Sequence, residues 1–126
     1  MNSTLDKPIK LLYIEDEVDL RYIISLTFDM IDNISHIMKP NAEEALEFLK
    51  QNVVDAVVSD HYLPNMQGID FLEIVREKYP KVRRFMITGA IQASVYEDAR
   101  KRADPEYIFD KPVVVDIIVE KLLEKH

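Results

Sequence analysis

The sequence predicts an α/β fold: a single five-stranded parallel sheet with helices on both faces. Three observations predict it. Five short apolar runs alternate with five longer segments of helical period. The third run, Val53 to Ser59, is mostly apolar on both faces, as a strand covered by helices on both sides requires. Strand–helix units in unbroken succession form parallel sheets with right-handed crossovers, because each helix carries the chain back so that the next strand runs in the same direction. Residues 1–126 read as one domain, with no internal repeat, low-complexity tract or linker.

The elements follow in order. Ile9 to Ile14 is the first strand, and Glu17 to Ile31 is a helix with Leu20, Ile23, Ile24, Thr27, Phe28 and Ile31 at helical spacing. Ile34 to Met38 is a second, weaker strand. Asn41 with Glu44 three residues on marks the start of a helix through Lys50 that buries Ala45, Leu46 and Leu49. After the third strand a turn with Pro64 leads to Gly68 and a helix burying Phe71, Leu72 and Val75. Arg84 to Thr88 is the fourth strand, broken by Gly89. Gln92 to Arg102 is a poor helix with Val95, Ala99 and Ala103 as its thin apolar stripe. Tyr107 to Phe109 is a short fifth strand, and Val113 to Lys125 is the last helix. Only 2 Gly occur, so each is expected to meet a specific demand.

Composition narrows the function. A formal charge of −7 opposes nonspecific nucleic-acid binding, and the one basic cluster, Lys81, Arg83 and Arg84, is short. No direct nucleic-acid partner is expected. No window approaches the ~18 apolar residues of a membrane span, so no membrane insertion is expected. Met1 to Lys10 lacks the apolar core of a signal peptide, and there is no Cys, so the expected location is cytoplasmic.

In sheets of this kind ligands bind beyond the carboxyl ends of the strands. Those ends offer Glu15-Asp16-Glu17, Asp60, Thr88 and Asp110-Lys111-Pro112. Glu15, Asp16 and Asp60 brought together would repel by about 4 kcal/mol per pair at ~4 Å and an effective dielectric of ~20. Either some of them protonate or a hard divalent cation sits among them, and Mg²⁺ suits few carboxylates, several waters and a phosphate. Lys111 can neutralise a phosphoryl oxygen and Thr88 can donate to another, which makes Asp60 a candidate nucleophile for phosphoryl transfer. The competing account is three unrelated surface acids.

At this point the chain resembles the receiver domains of two-component response regulators, chemotaxis-regulator-like single domains among them. Asp60-His61-Tyr62-Leu63-Pro64-Asn65-Met66-Gln67-Gly68 matches the third-strand motif at every defined place. Leu11-Leu12-Tyr13-Ile14-Glu15-Asp16-Glu17, Met86-Ile87-Thr88-Gly89-Ala90 and Lys111-Pro112 supply the other three motifs in the right order and at the right separations. The resemblance implies a flavodoxin-like (βα)5 fold with strand order 2-1-3-4-5 and a cis Lys111-Pro112 bond. It implies Asp60 as phosphoacceptor and Mg²⁺ as cofactor. Asp16 would bind the ion directly, Glu15 mainly through water, Asp60 and the backbone carbonyl of Tyr62 completing the set, with Thr88 and Lys111 meeting the phosphoryl group. The implied partners are a sensor histidine kinase or phosphotransfer protein and a downstream protein target. The chain then carries no output domain and catalyses only its own phosphorylation and dephosphorylation.

The chain departs from the receiver pattern at Ile108, where an aromatic usually stands three residues before the Lys. Tyr107 and Phe109 flank it and share the opposite strand face. Either a bulge re-aims one ring, or the aromatic half of the usual switch is missing. His61 is expected to leave the rim toward solvent and His36 to be structural; His126 is terminal. The resemblance implies that Tyr62 and Ala90 lie where receiver domains tune access of hydrolytic water, and a bulky Tyr62 beside the acyl phosphate gives the expectation of a long-lived phospho-form. The output face is expected between the fourth and fifth helices, with Gln92, Tyr96, Arg100, Asp116 and Lys121 exposed on it. Two alternatives stand beside this reading. One is a phosphorylation-independent, receiver-like adaptor, favoured by Ile108. The other is a Mg²⁺-dependent phosphohydrolase with an Asp nucleophile, disfavoured because Tyr62 stands where its second Asp belongs.

Overall fold

The computed structural model describes residues 7–90 and 92–124. The N-terminal stretch through Asp6, the helix end expected at Lys125, and His126 lie outside the described residues. The elements run β1 (Ile9–Ile14), α1 (Val18–Asp29), β2 (Ile34–Lys39), α2 (Ala42–Leu49), β3 (Ala56–Asp60), α3 (Gly68–Lys78), β4 (Arg83–Thr88), α4 (Ala93–Arg102), β5 (Tyr107–Asp110) and α5 (Val115–Leu123). The sheet is all parallel in the order β2-β1-β3-β4-β5.

Alternation along the strands sends side chains into two cores. Leu12, Ile14, Val57 and Met86 meet Ala45, Phe71, Leu72, Val75 and Ala99 on the face covered by α2, α3 and α4. Leu11, Tyr13, Val58, Phe85 and Phe109 meet Ile24, Phe28, Ile118 and Leu122 under α1 and α5. Each fully buried Phe contributes about 2–3 kcal/mol of transfer free energy. β3, with neighbours on both edges and helices on both faces, is buried at all five positions.

Helix starts obey local chemistry. Glu17 caps α1, accepting the Leu20 N–H at 2.7 Å, so the third acid of the Glu15-Asp16-Glu17 run serves the helix. Asn41 caps α2 by accepting the Glu44 N–H at 2.8 Å. Arg83 pairs with Glu106 at 2.8 and 3.0 Å and donates to the carbonyls of Lys121, Leu122 and Glu124 at the end of α5. Arg84 donates to the Val82, Ala103 and Asp104 carbonyls. Both arginines of the basic cluster are thus committed to structure.

Four expectations need correction. β3 begins at Ala56, not Val53, which is 84% exposed. β4 starts opposite Ala56, so Val53 and Val54 have no partner on that edge; Asp55 closes the ladder by bonding Lys10 and Arg83. α1 buries only Ile24 and Phe28, leaving Leu20 and Ile23 of its apolar stripe on the surface. Leu46 is only partly buried on α2. α5 starts at Val115, because Val114 is extended and a run of three β-branched valines resists helix nucleation.

Candidate functional site

β1 and β3 are neighbours whose following helices cover opposite faces, so their carboxyl ends bound the crevice at the topological switch point. β1 delivers Glu15 and Asp16 there, and Asp60 is the last residue of β3. Glu15 and Asp60 are buried, Asp16 is exposed, and one carboxylate oxygen from each lies within 4.8 Å of the others. Lys111 Nζ donates to Asp60 Oδ2 at 2.5 Å, and the Tyr62 N–H donates to Oδ1 at 3.1 Å. The Glu17 N–H donates to Glu15 Oε2 at 3.0 Å. The Lys111-Pro112 bond is cis.

Gly68 sets the turn that follows Asp60. A Cβ there would lie 2.2 Å from the Asp60 carbonyl oxygen and 2.8 Å from the His61 Cα, so only glycine allows the start of α3 to close on the end of β3. The Gly68 N–H donates to the His61 carbonyl at 2.8 Å across that contact. Gly89 meets no such demand; a Cβ there would touch only the Lys111 side chain at ordinary distance.

The electrostatics follow from burial and like charge. Burial pushes the Glu15 carboxyl above the usual range; the Glu17 N–H and Lys111 oppose this, and Asp60 and Asp16 add to it. Burial works against the Lys111 ammonium, yet the hydrogen bond to Asp60 and the charges of Asp60, Glu15 and Asp16 hold its pKa above the ordinary lysine value. Glu15 therefore binds its proton more tightly in the folded chain than in the unfolded one. Its contribution to stability grows as pH falls through that raised folded-state pKa toward the ordinary carboxylate range, and is unfavourable above it. Glu15→Gln is expected to raise the melting temperature of the metal-free chain in EDTA at neutral pH, with the gain shrinking as pH is lowered. A lower melting temperature than wild type at neutral pH contradicts this account.

Three carboxylates around one point, two of them buried and one paired with the Lys111 ammonium, suit a hard divalent cation with oxygen ligands such as Mg²⁺. Thr88 is fully buried, but its Oγ1 accepts the Ala90 N–H at 3.0 Å and does not bond Asp60.

A family model described as the response regulator receiver domain matches residues 11–123. The chain belongs to the response regulator receiver domain family. Among curated relatives, chemotaxis protein CheY-3 of Vibrio cholerae is 29% identical over 97% of this chain and 95% of its own length. The transcriptional regulatory protein FlgR of Helicobacter pylori is 25% identical over 90% of this chain, which covers 29% of that protein. The chain likewise spans only 23% of HoxA of Cupriavidus necator and 49% of CitT of Bacillus subtilis. A protein of Neptuniibacter caesariensis superposes with a TM-score of 0.81 at 28% identity, covering 92% of this chain and 88% of its own. The chemotaxis response regulator CheY4 of Vibrio cholerae shares the fold with a TM-score of 0.81 at 21% identity, covering 92% and 97%.

Receiver domains are regulatory and work with histidine kinases and downstream effectors. Among the described residues of this receiver, no helix is long and apolar enough to cross a membrane.

Several neighbours of the site differ from expectation. No bulge re-aims the β5 aromatics: Ile108 sits opposite Met86 on the α4 face, while Phe109 packs on the α1–α5 face with Phe85 at 6.2 Å and Tyr107 at 4.9 Å. His61 does not leave for solvent. It is only 9% exposed because the chain turns back over it at Gly68; its ring lies 4.5 Å from that of Tyr62, and Nδ1 has no hydrogen-bond partner among the described residues. His36 is structural, bonded to Ser25 at 2.8 Å and packed on Phe28. Gln92, Arg100 and Asp116 are exposed. Lys121 is instead half-buried over the Tyr107 ring, and Tyr96 is half-buried with its hydroxyl on Ala90 and Asp110. The sequence reading missed the role of Asp110; its one signal was its place between the fifth strand and the Lys-Pro pair.

Proposed function

We propose that Asp60 accepts a phosphoryl group from the phosphohistidine of a sensor histidine kinase or phosphotransfer protein, and that the resulting acyl phosphate switches the surface around α4, β5 and α5. The observation that carries this is the convergence of Lys111 and two further acids on one buried carboxylate. An Asp60 oxygen attacks phosphorus, the P–N bond of the donor breaks, and the departing imidazole keeps the electron pair. Lys111 moves its hydrogen bond from the carboxylate to a phosphoryl oxygen, and the Thr88 hydroxyl donates to another. Glu15, Asp16, Asp60 and the Tyr62 carbonyl would hold Mg²⁺, which when bound supplies charge neutralisation for the transferring group. Catalysis is then positioning and electrostatics, with water as the acceptor on dephosphorylation.

The test is to incubate the chain with acetyl phosphate and follow intact mass. One added phosphoryl mass with Mg²⁺ and none in EDTA supports the reading. No gain under either condition, and no binding of beryllofluoride, moves the chain to a phosphorylation-independent adaptor.

Tyr62 is 50% exposed and stands beside the acceptor, over His61. Its ring shields the acyl phosphate from attacking water. The phospho-form is expected to last minutes or longer, and Tyr62→Ala to shorten it. A wild-type half-life of a few seconds sinks this expectation.

A further inference from the structure

β5 carries no aromatic on the α4 face, where Ile108 packs beside Met86. An aromatic reaches that region from another element. Tyr96, in the first turns of α4, sends its hydroxyl to the Asp110 carboxylate and lies 3.3 Å from the Ala90 carbonyl. The hydroxyl has one proton to share, and the carboxylate is the stronger acceptor. Ala90 is bound at its other end too, its N–H donating to Thr88 Oγ1 at 3.0 Å. Asp110 pairs with Thr88 across the β4–β5 ladder, and the next residue, Lys111, donates its N–H to the Thr88 carbonyl at 2.9 Å. Tyr96 thus closes a ring of contacts that runs from Thr88 through Ala90 to Asp110 and back.

The two ends of α4 are held differently. At its C-terminus Arg102 pairs with Asp70 at 2.6 Å and Glu73 at 2.7 Å, and Arg76 donates to the Lys101 and Arg102 carbonyls at 3.1 and 3.2 Å. At its N-terminus Gln92 makes no capping side-chain bond, and within the helix only the small Ala99 is fully buried. Four α3-to-α4 hydrogen bonds and ion pairs clamp one end, while the other is tied by the Tyr96 hydroxyl and by partly buried Val95.

We propose that Tyr96 is a latch that holds the first turns of α4 on Ala90 and Asp110 in the unphosphorylated chain and is released when Thr88 turns to the phosphoryl group. The proposal rests on the reading of Asp60 as phosphoacceptor. Thr88 cannot move gradually, because a β-branched side chain changes χ1 between discrete staggered wells. Turning Oγ1 toward Asp60 withdraws the acceptor from the Ala90 N–H. Ala90 then shifts, Tyr96 loses its seat, and α4 pivots about the Arg102 clamp.

Amide hydrogen exchange over residues 89–100 tests this in wild type, Tyr96→Phe and Asp110→Ala, each with and without Mg²⁺ and beryllofluoride. In the free state both variants are expected to exchange about fivefold faster than wild type, the factor set by one net hydrogen bond. Beryllofluoride is expected to speed exchange in wild type to a similar extent and to add little in either variant. Tyr96→Phe should still gain one phosphoryl mass from acetyl phosphate at the wild-type rate. If it does so while its exchange matches wild type in both states, the latch is overturned and Asp60 remains the acceptor. If wild type gains no phosphoryl mass, the parent reading fails by itself. Unchanged wild-type exchange under bound beryllofluoride overturns the release step alone.

Discussion

Asp60→Asn is expected to abolish phosphoryl uptake from acetyl phosphate completely, to below the detection limit of intact mass, while the chain remains folded. The amide oxygen carries no full negative charge and cannot form a stable acyl phosphate, so the position loses its nucleophile. Retention of the fold follows from the neighbours. Asp60 is buried with the half-exposed Lys111 ammonium at 2.5 Å, and removing the carboxylate charge takes away that ion pair. Here Glu15 and Asp16 remain within reach of the same ammonium, and their mutual repulsion with Asp60 is relieved. The two changes oppose each other, so the melting temperature should move by only a few degrees. Residual Mg²⁺-dependent mass gain in the folded variant would show that another residue accepts the group. His61 is the residue to map next, being adjacent and having a ring nitrogen with no partner among the described residues.

Gly68→Ala is expected to cost about 3 kcal/mol of stability and to slow phosphoryl uptake on the order of 100-fold. The added Cβ would sit 2.2 Å from the Asp60 carbonyl oxygen and 2.8 Å from the His61 Cα. Both obstacles are backbone, which cannot rotate aside as a flexible side chain can. The end of β3 and the start of α3 must separate, which weakens the 2.8 Å bond from the Gly68 N–H to the His61 carbonyl. Asp60 moves with that segment, while Glu15 and Lys111 stay with β1 and β5. A fall in melting temperature of roughly 12 °C, taking about 4 °C per kcal/mol for a domain of this size, checks the first half. Uptake kinetics check the second. A variant with wild-type melting and wild-type uptake would mean that the turn relaxes freely, and the glycine would lose its structural explanation.

Much of the site was legible because its residues mark strand ends, and strand ends are the best-defined points of an alternating βα sequence. Glu15, Asp16, Asp60, Thr88 and Lys111 all fall where apolar runs stop, and a parallel sheet aligns such stops on one rim. The reading of Ile108 also held at the level of strand alternation, since period two admits only two faces. What failed was whatever depended on a neighbour's extent. Val53 has the composition of a strand residue, but β4 starts too late to pair with it. Ile23 has the spacing of a buried helix residue, yet no element among the described residues packs over it and it stays exposed. His61 looks solvent-bound in sequence, and a turn seven residues later closes over it.

By itself, then, the sequence determined the order of elements, the two strand faces and the set of residues at the carboxyl rim, because local propensity and periodicity act over a few residues and need no partner. Tertiary structure alone decided which of those residues touch. It put Lys111 on Asp60, 51 positions away. It turned Thr88 toward Ala90 and away from the acids, and brought Tyr96 across to Asp110. Such contacts are settled by how far each helix slides and rolls on a close-packed sheet, a balance of many small packing energies that no short window of sequence encodes.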